Sequence, residues 1–162
     1  MNLVTRSSRV VMAFLIGLSG CGLSSIDTKL YPGPDLPKNE IAQLSVMPFN
    51  QGWTEYNYNI GIDKIYGPVP GRRLTFPQEA GRNYLLLPGS YKLYIRLWLV
   101  GNNGSITDDA TVELTLQAEA GYAYQVTYEK LKEKAGRPDL VWIEEIPRKR
   151  AVSEKVRFPE RR

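Results

Sequence analysis

The chain has 162 residues, of which 43% are hydrophobic and 23% charged, and this composition fits one globular domain with additional segments at its ends. It carries a formal net charge of +4 and contains one cysteine and no histidine. The absence of histidine excludes Ser-His-Asp and Cys-His catalysis, HExxH sites and zinc sites of the usual composition. The chain also lacks GxSxG, SxxK, Walker and GxGxxG motifs, so we expect no enzymatic activity and no cofactor.

The N-terminus has the pattern of a secretory signal peptide. Arg6 and Arg9 precede an apolar run at residues 10–18, and small residues follow it. A charged region, an apolar stretch of roughly 7–15 residues and a small-residue cut site are typical of a cleaved leader rather than a spanning helix. We therefore assign residues 1–20 to a signal peptide and exclude them from the fold.

The only cysteine lies directly after this leader. The residues Leu18-Ser19-Gly20-Cys21 resemble the lipobox of bacterial lipoproteins. The resemblance implies cleavage between Gly20 and Cys21, diacylation of the Cys21 thiol and acylation of the new amino terminus. Two or three acyl chains, each contributing about 0.8 kcal/mol per buried CH₂, would hold the protein at a membrane permanently. The alternatives are a small hydrophobe in a discarded leader, or a redox thiol, which would have no partner cysteine.

The residue after the cysteine bears on the membrane in which the protein would be anchored. Gly22 stands where Gram-negative lipoproteins that stay in the inner membrane carry aspartate. The resemblance therefore implies a lipid-anchored protein on the periplasmic face of the outer membrane. The alternatives are the inner membrane or the surface of a single-membrane cell.

Residues 21–39 combine the anchor cysteine with a segment rich in Pro, Gly and Ser. Pro32, Pro34 and Pro37 favour extended backbone with few hydrogen bonds, so we expect a flexible tether here. The folded domain is then predicted over residues 40–147.

Within residues 40–147 the dominant signal is alternation of apolar and polar residues. It is clearest at residues 90–100, SYKLYIRLWLV, where every odd position from Tyr91 to Leu99 is apolar. Pro88-Gly89 before this run predicts a hairpin with residues 84–87. A helical turn is possible only within residues 127–136. Further strands are predicted at residues 41–47, 56–62, 110–116, 122–128 and 140–146. This pattern predicts an all-β protein with a single antiparallel β-sandwich.

Four segments resemble landmarks of uncharacterised bacterial lipoproteins with PEGA-like β-sandwich domains. They read YPGPDLPKNEIAQL, NYLLLPGSYKLYI, LTLQAEAGYAYQVTY and VWIEEI. In that group a Leu-Pro-Gly turn leads into one long strand and an Ala-Gly-Tyr turn into another. The resemblance implies a PEGA-like or immunoglobulin-like sandwich and an envelope address, but no activity.

A first candidate binding face lies on the polar side of the strand at residues 90–100. Lys92, Tyr94, Arg96 and Trp98 interleave cations with aromatic rings, which suits a glycan or peptide surface. The alternative is a structural face, because aromatic residues favour strands and cross-strand pairs can satisfy the charges.

The C-terminal residues 148–162 carry seven basic and two acidic residues, a net charge of +5. We expect a disordered basic tail here, able to contact anionic surfaces such as peptidoglycan or lipopolysaccharide, or else a solvated end without a role. The basic residues concerned are Arg148, Lys149, Arg150, Lys155, Arg157, Arg161 and Arg162.

Two further groups of residues are candidates, one for a calcium site and one for a catalytic pair of carboxylates. The oxygens of Asn102, Asn103, Asp108 and Asp109 could hold calcium, but a hairpin loop explains the same residues and we expect no metal. Glu144 and Glu145 are adjacent, and adjacent side chains of a strand point to opposite faces, so we do not assign them as an acid and base pair.

Together these features favour a membrane-anchored envelope lipoprotein that acts as a non-catalytic binding or assembly accessory. Its expected partners are the membrane, envelope proteins, peptidoglycan or lipopolysaccharide, and we expect no nucleic acid. The alternative function is a cell-wall or glycan hydrolase, which would need two carboxylates converging in one cleft.

Overall fold

The computed structural model describes residues 27–46, 57–68, 73–75, 83–100, 104–130 and 137–160. These residues form strands and turns and contain no helix. The described part of the chain therefore has no helix that could cross a membrane. The strands are β1 (Asp27–Lys29), β2 (Ala42–Val46), β3 (Asn57–Tyr66), β4 (Arg73–Thr75), β5 (Asn83–Leu86), β6 (Gly89–Val100), β7 (Ile106–Ala118), β8 (Ala123–Lys130), β9 (Pro138–Ile146), β10 (Arg150–Ala151) and β11 (Val156–Arg157). The all-β prediction is therefore confirmed for the described residues.

The strands form two sheets around a common core. The larger sheet has the order β1-β5-β2-β8-β9-β10, with β11 also paired to β9, and the smaller has the order β4-β3-β6-β7. In β7 every second residue from Asp108 to Ala118 is buried, as expected for a strand with one face in a core. Buried residues of both sheets, such as Leu44, Ile95 and Leu114, belong to one hydrophobic cluster, a sandwich-like arrangement.

The prediction of a purely antiparallel sandwich is wrong, because two pairs of neighbouring strands are parallel. Strand β2 runs parallel to β8, with Leu44 opposite Tyr124, and β1 runs parallel to β5, with Thr28 opposite Tyr84. Parallel neighbours need a long connection. Between β2 and β8 the chain provides one by building the whole smaller sheet, β3, β4, β6 and β7, together with β5.

The predicted hairpin around Pro88-Gly89 is wrong. Strand β5 pairs with β1 and β2 in the larger sheet, whereas β6 pairs with β3 and β7 in the smaller one. The turn therefore carries the chain from one sheet to the other. Gly89 has φ +146°, and the Tyr91 hydroxyl donates a hydrogen bond of 2.7 Å to the Leu87 carbonyl, which fixes this corner.

The prediction of a flexible tether is wrong for residues 27–39. Strand β1 pairs with β5, and the Tyr31 side chain is only 5% exposed. The Tyr31 hydroxyl accepts a hydrogen bond from the Leu36 amide at 3.2 Å, and Lys29 Nζ donates to the Gly33 carbonyl at 2.6 Å. Local hydrogen bonds and aromatic burial thus hold this proline-rich segment on the body, which includes residues 27–39.

The prediction of a disordered tail is wrong for residues 148–160. Strands β10 and β11 both pair with β9, and Phe158 is fully buried in the core. The high charge of this segment favoured disorder, but Phe158 supplies apolar burial and acidic residues on β9 neutralise two of its arginines. The C-terminal segment is consequently part of the domain.

Candidate functional site

The predicted binding face lies on the outer side of the smaller sheet, and its cations are paired within that sheet. Lys92 Nζ lies 3.0 Å from Glu113 Oε1, and the Tyr94 hydroxyl donates to Glu113 Oε2 at 2.8 Å. The Arg96 guanidinium donates two hydrogen bonds to Asp109, from Nε at 2.7 Å and from Nη2 at 2.6 Å. Neighbouring β7 therefore supplies a carboxylate for each of the two cations on β6.

These cross-strand pairs shift the ionisation of the carboxylates. Hydrogen bonds from Lys92 and Tyr94 lower the pKa of Glu113 below its usual range, and those from Arg96 lower the pKa of Asp109. Both carboxylates are thus held in their charged form at neutral pH, so the net charge offered by this face to a ligand is small.

The expectation of an exposed Trp98 on this face is wrong. Its side chain is buried, only 8% exposed, although it points to the outer side of the sheet. The ring lies over Gly61 of β3, where an added Cβ would come within 3.3 Å of the Trp98 Cη2 atom. The ring therefore covers a glycine gap in the neighbouring strand, and the four predicted residues do not form one open surface of cations and aromatic rings.

The structure instead brings a different set of polar residues together in a pocket of about 280 Å³. This pocket lies where the end of β7, the beginning of β8 and the β9–β10 hairpin meet. Its polar lining consists of Gln117, Glu119, Tyr122, Tyr124, Glu145 and Arg150. Because this pocket combines carboxylates, a guanidinium and aromatic rings, it is the candidate functional site.

Tyr124 holds the wall of this pocket in place. Its hydroxyl accepts a hydrogen bond from the Glu119 amide at 3.1 Å and donates one to the Gln117 carbonyl at 3.5 Å. The first residues of β8 are thereby tied to the end of β7 across the two sheets. Burial raises the pKa of the Tyr124 hydroxyl above its usual value, so this residue stays neutral and keeps both roles.

Glu145 lies at the buried side of the pocket, with only 2% of its side chain exposed. Arg150 Nη2 is 2.5 Å from Glu145 Oε2, and Arg148 Nη1 is 3.2 Å from Glu145 Oε1. Both arginine side chains remain 63% exposed. Two exposed guanidiniums are thus fixed to the body through one buried carboxylate.

The pocket contains two carboxylates, but they are not equivalent. Both oxygens of Glu145 contact an arginine, whereas the exposed Glu119 side chain has no ion-pair partner among the described residues. Sequence reasoning missed this pair because Glu119 lies in the β7–β8 turn and Glu145 in β9, far apart in the sequence. It did place Glu144 and Glu145 on opposite faces, and this is confirmed, since Glu144 accepts a hydrogen bond from Trp142 Nε1 at 2.8 Å outside the pocket.

The remaining basic residues of the C-terminal segment are distributed around β9. Arg157 Nε lies 3.1 Å from Asp139 Oδ2, an ion pair whose geometry makes no hydrogen bond to that oxygen. Lys155 lies 4.1 Å above the Trp142 ring, and Lys149 occupies the hairpin turn with φ +52°. Arg161 and Arg162 lie outside the described residues. The described basic residues of this segment therefore form no single cluster.

The two described residues of the group considered for calcium, Asp108 and Asp109, are both paired with arginines. Asp108 is buried beside Arg137, and Asp109 is bound by Arg96, while Asn102 and Asn103 lie outside the described residues. In the part of the chain that the structure describes, no three His, Cys, Asp or Glu side chains are grouped to hold a metal ion.

No protein family, curated protein or solved structure matches this chain. Gly20 and Cys21 lie outside the described residues, so the proposed cleavage and lipidation site is argued from the sequence.

Proposed function

We propose that this protein is a lipoprotein of the bacterial outer membrane, anchored through Cys21 on the periplasmic side, whose body acts as a non-catalytic binding or assembly module. The body is assigned to the PEGA-like sandwiches. Support for this assignment comes from the Leu-Pro-Gly turn before β6 and the Ala-Gly-Tyr turn before β8. The inner membrane and a single-membrane cell surface remain alternatives for the anchor.

An acyl group on Cys21 would place the body close to the membrane, because few residues separate this cysteine from β1. Strand β1 begins at Asp27, soon after Cys21. An extended chain spans at most about 3.5 Å per residue, so the body of an acylated protein would stay within roughly 20 Å of the lipid surface. Such a protein acts on partners close to the membrane rather than at the end of a long tether.

The observation that carries the non-catalytic role is the engagement of Glu145 by Arg148 and Arg150. A general acid must hold a proton, and a nucleophile or base must offer a free oxygen to its substrate. Both oxygens of Glu145 already contact an arginine and its side chain is only 2% exposed, so a substrate has little access to either oxygen. This arrangement favours recognition of a ligand over hydrolysis of a glycan by Glu119 and Glu145.

The anchor is tested by expressing the chain in a Gram-negative host with an alkyne-labelled fatty acid. We expect the label and the membrane association of the wild type to be lost in Cys21→Ser, because serine is not acylated at this position. Ser24→Ala is the matched control and should retain both. An unlabelled wild-type protein would contradict the anchor.

The binding role is tested by photo-cross-linking in intact cells from positions around the pocket, with positions on the outer face of the smaller sheet as the comparison. We expect one defined partner from the pocket rim and none from the comparison face. Release of soluble fragments from purified peptidoglycan, lost in Glu119→Gln, would instead support the hydrolase.

A further inference from the structure

We propose that the pocket at the end of β7 binds a small zwitterion, with its ammonium group on Glu119 and its carboxylate on Arg150. This inference names a ligand class for the binding role proposed above and rests on that role, but it does not need the lipid anchor. It uses Glu119 from the β7–β8 turn and Arg150 from β10, which no linear motif joins.

The charges of the pocket determine this ligand class. Among the lining residues, Glu119 and Glu145 supply two negative charges and Arg150 supplies one positive charge. Arg148 lies outside the lining but contacts Glu145, so these four charges together are neutral. A phosphate would be attracted by the arginines but repelled by two nearby carboxylates. A simple cation would be attracted by the carboxylates but repelled by the arginines. A ligand with one charge of each sign is complementary to the site.

Arg150 has donors to spare for a ligand carboxylate. Its guanidinium contacts Glu145 through Nη2, and the group offers five N–H donors in a planar fork. Because Glu145 is buried and also bound by Arg148, it fixes the Arg150 guanidinium at the edge of the pocket, where the side chain stays 63% exposed. A carboxylate would bind there as the second acceptor of a positioned guanidinium.

Glu119 provides the complementary acceptor. Its backbone amide is fixed by the hydrogen bond to the Tyr124 hydroxyl, and its exposed carboxylate has no partner among the described residues. Half-buried Tyr122 adds apolar surface beside it. The volume of about 280 Å³ is at the lower end of ligand pockets, which limits the ligand to the size of an amino acid or a short peptide end.

Calorimetric titration of the purified full-length chain with alanine and with alanyl-alanine tests the proposal. The two probes carry the same charged groups at two separations. We expect at least one to bind, and we expect about tenfold weaker binding after its amine is acetylated or its carboxylate is amidated, since each change removes one charged contact. Absence of binding by both probes, or equal binding of the blocked forms, would overturn the proposal.

Two variants assign the ends of the ligand. In Glu119→Gln the free and acetylated probes should bind equally, and in Arg150→Gln the free and amidated probes should do so. Glu154→Gln, an exposed glutamate in the same segment as Arg150, is the control and should bind as the wild type does. Thermal unfolding of each variant verifies folding. If neither probe binds while cross-linking at the pocket captures a partner, the zwitterion assignment is wrong and the binding role stands.

Discussion

Arg137 and Asp108 form a buried ion pair that joins the start of β9 to the beginning of β7, with Arg137 Nε 3.1 Å from Asp108 Oδ2. Arg137 Nη2 also donates a hydrogen bond of 2.8 Å to the Pro159 carbonyl, and the Tyr58 hydroxyl lies 3.4 Å from Asp108 Oδ2. One guanidinium therefore connects the two sheets to the C-terminal segment.

Replacing Arg137 with Met should destabilise the protein by about 3–5 kcal/mol. The substitution leaves the Asp108 carboxylate buried without its cation, which costs far more than losing an exposed pair. Adding Asp108→Asn should recover more than half of the loss, because the amide carries no charge and still accepts from Tyr58. Urea unfolding measures both changes. Arg96→Met, which breaks a surface pair, is the control and should cost no more than about 1 kcal/mol.

Phe158→Ala should destabilise the protein by about 3–5 kcal/mol, because the ring is fully buried in the core and its removal leaves a cavity. Ile106→Ala, at a side chain that is 50% exposed, should change the free energy of unfolding by less than about 0.5 kcal/mol. Chemical denaturation compares the two. A Phe158 variant as stable as the wild type would mean that the C-terminal segment is detached from the domain.

The strands could be predicted because their signal is local. Alternation over β6 and β7 depends on neighbouring residues alone, and both strands occur where the pattern placed them, with longer ends on β7. Which strands pair with one another is not determined by neighbouring residues alone. Pro88-Gly89 bends the chain, yet only the packing of Leu86 and Tyr91 on different sheets decides that the bend leads across the core.

The candidate site was missed for the same reason. Glu119 lies in the β7–β8 turn, Tyr124 in β8 and Arg150 in β10, and nothing in their sequence spacing indicates that they meet. The sequence shows the basic charge of residues 148–162, but it does not show which acidic residues pair with these arginines. Glu145 and Asp139 belong to an apolar strand whose pattern gave no sign that its acids would be buried beside Arg150 and Arg157.

Stability should fall as the pH rises from about 10 to about 12 because of Tyr91. Burial raises the pKa of this hydroxyl from 10.0 to about 12. In this range the unfolded chain has released the proton while the folded protein retains it, so the contribution is complete below pH 10 and is lost towards pH 12. The expected loss is at most about 2 kcal/mol.

Urea unfolding of the wild type and of Tyr91→Phe across this range measures the effect. The variant lacks the hydrogen bond to Leu87 and should be less stable by about 1 kcal/mol at neutral pH, but it should show a shallower decline above pH 10. Equal declines in the two proteins would assign the alkaline transition to other groups.

Gly61→Val should displace the Trp98 ring from the outer face of the smaller sheet. A Cβ at residue 61 already comes within 3.3 Å of Trp98 Cη2, and two further methyl groups leave the ring no room over β3. We expect a destabilisation of about 1–3 kcal/mol, as for other overpacked sites, and a red shift of tryptophan emission as the ring becomes exposed. In a Trp98→Phe background the same substitution should leave the emission unchanged. A red shift that persists in that background would come from Trp142 or Trp53 and would contradict the assignment of Trp98 as the cover of Gly61.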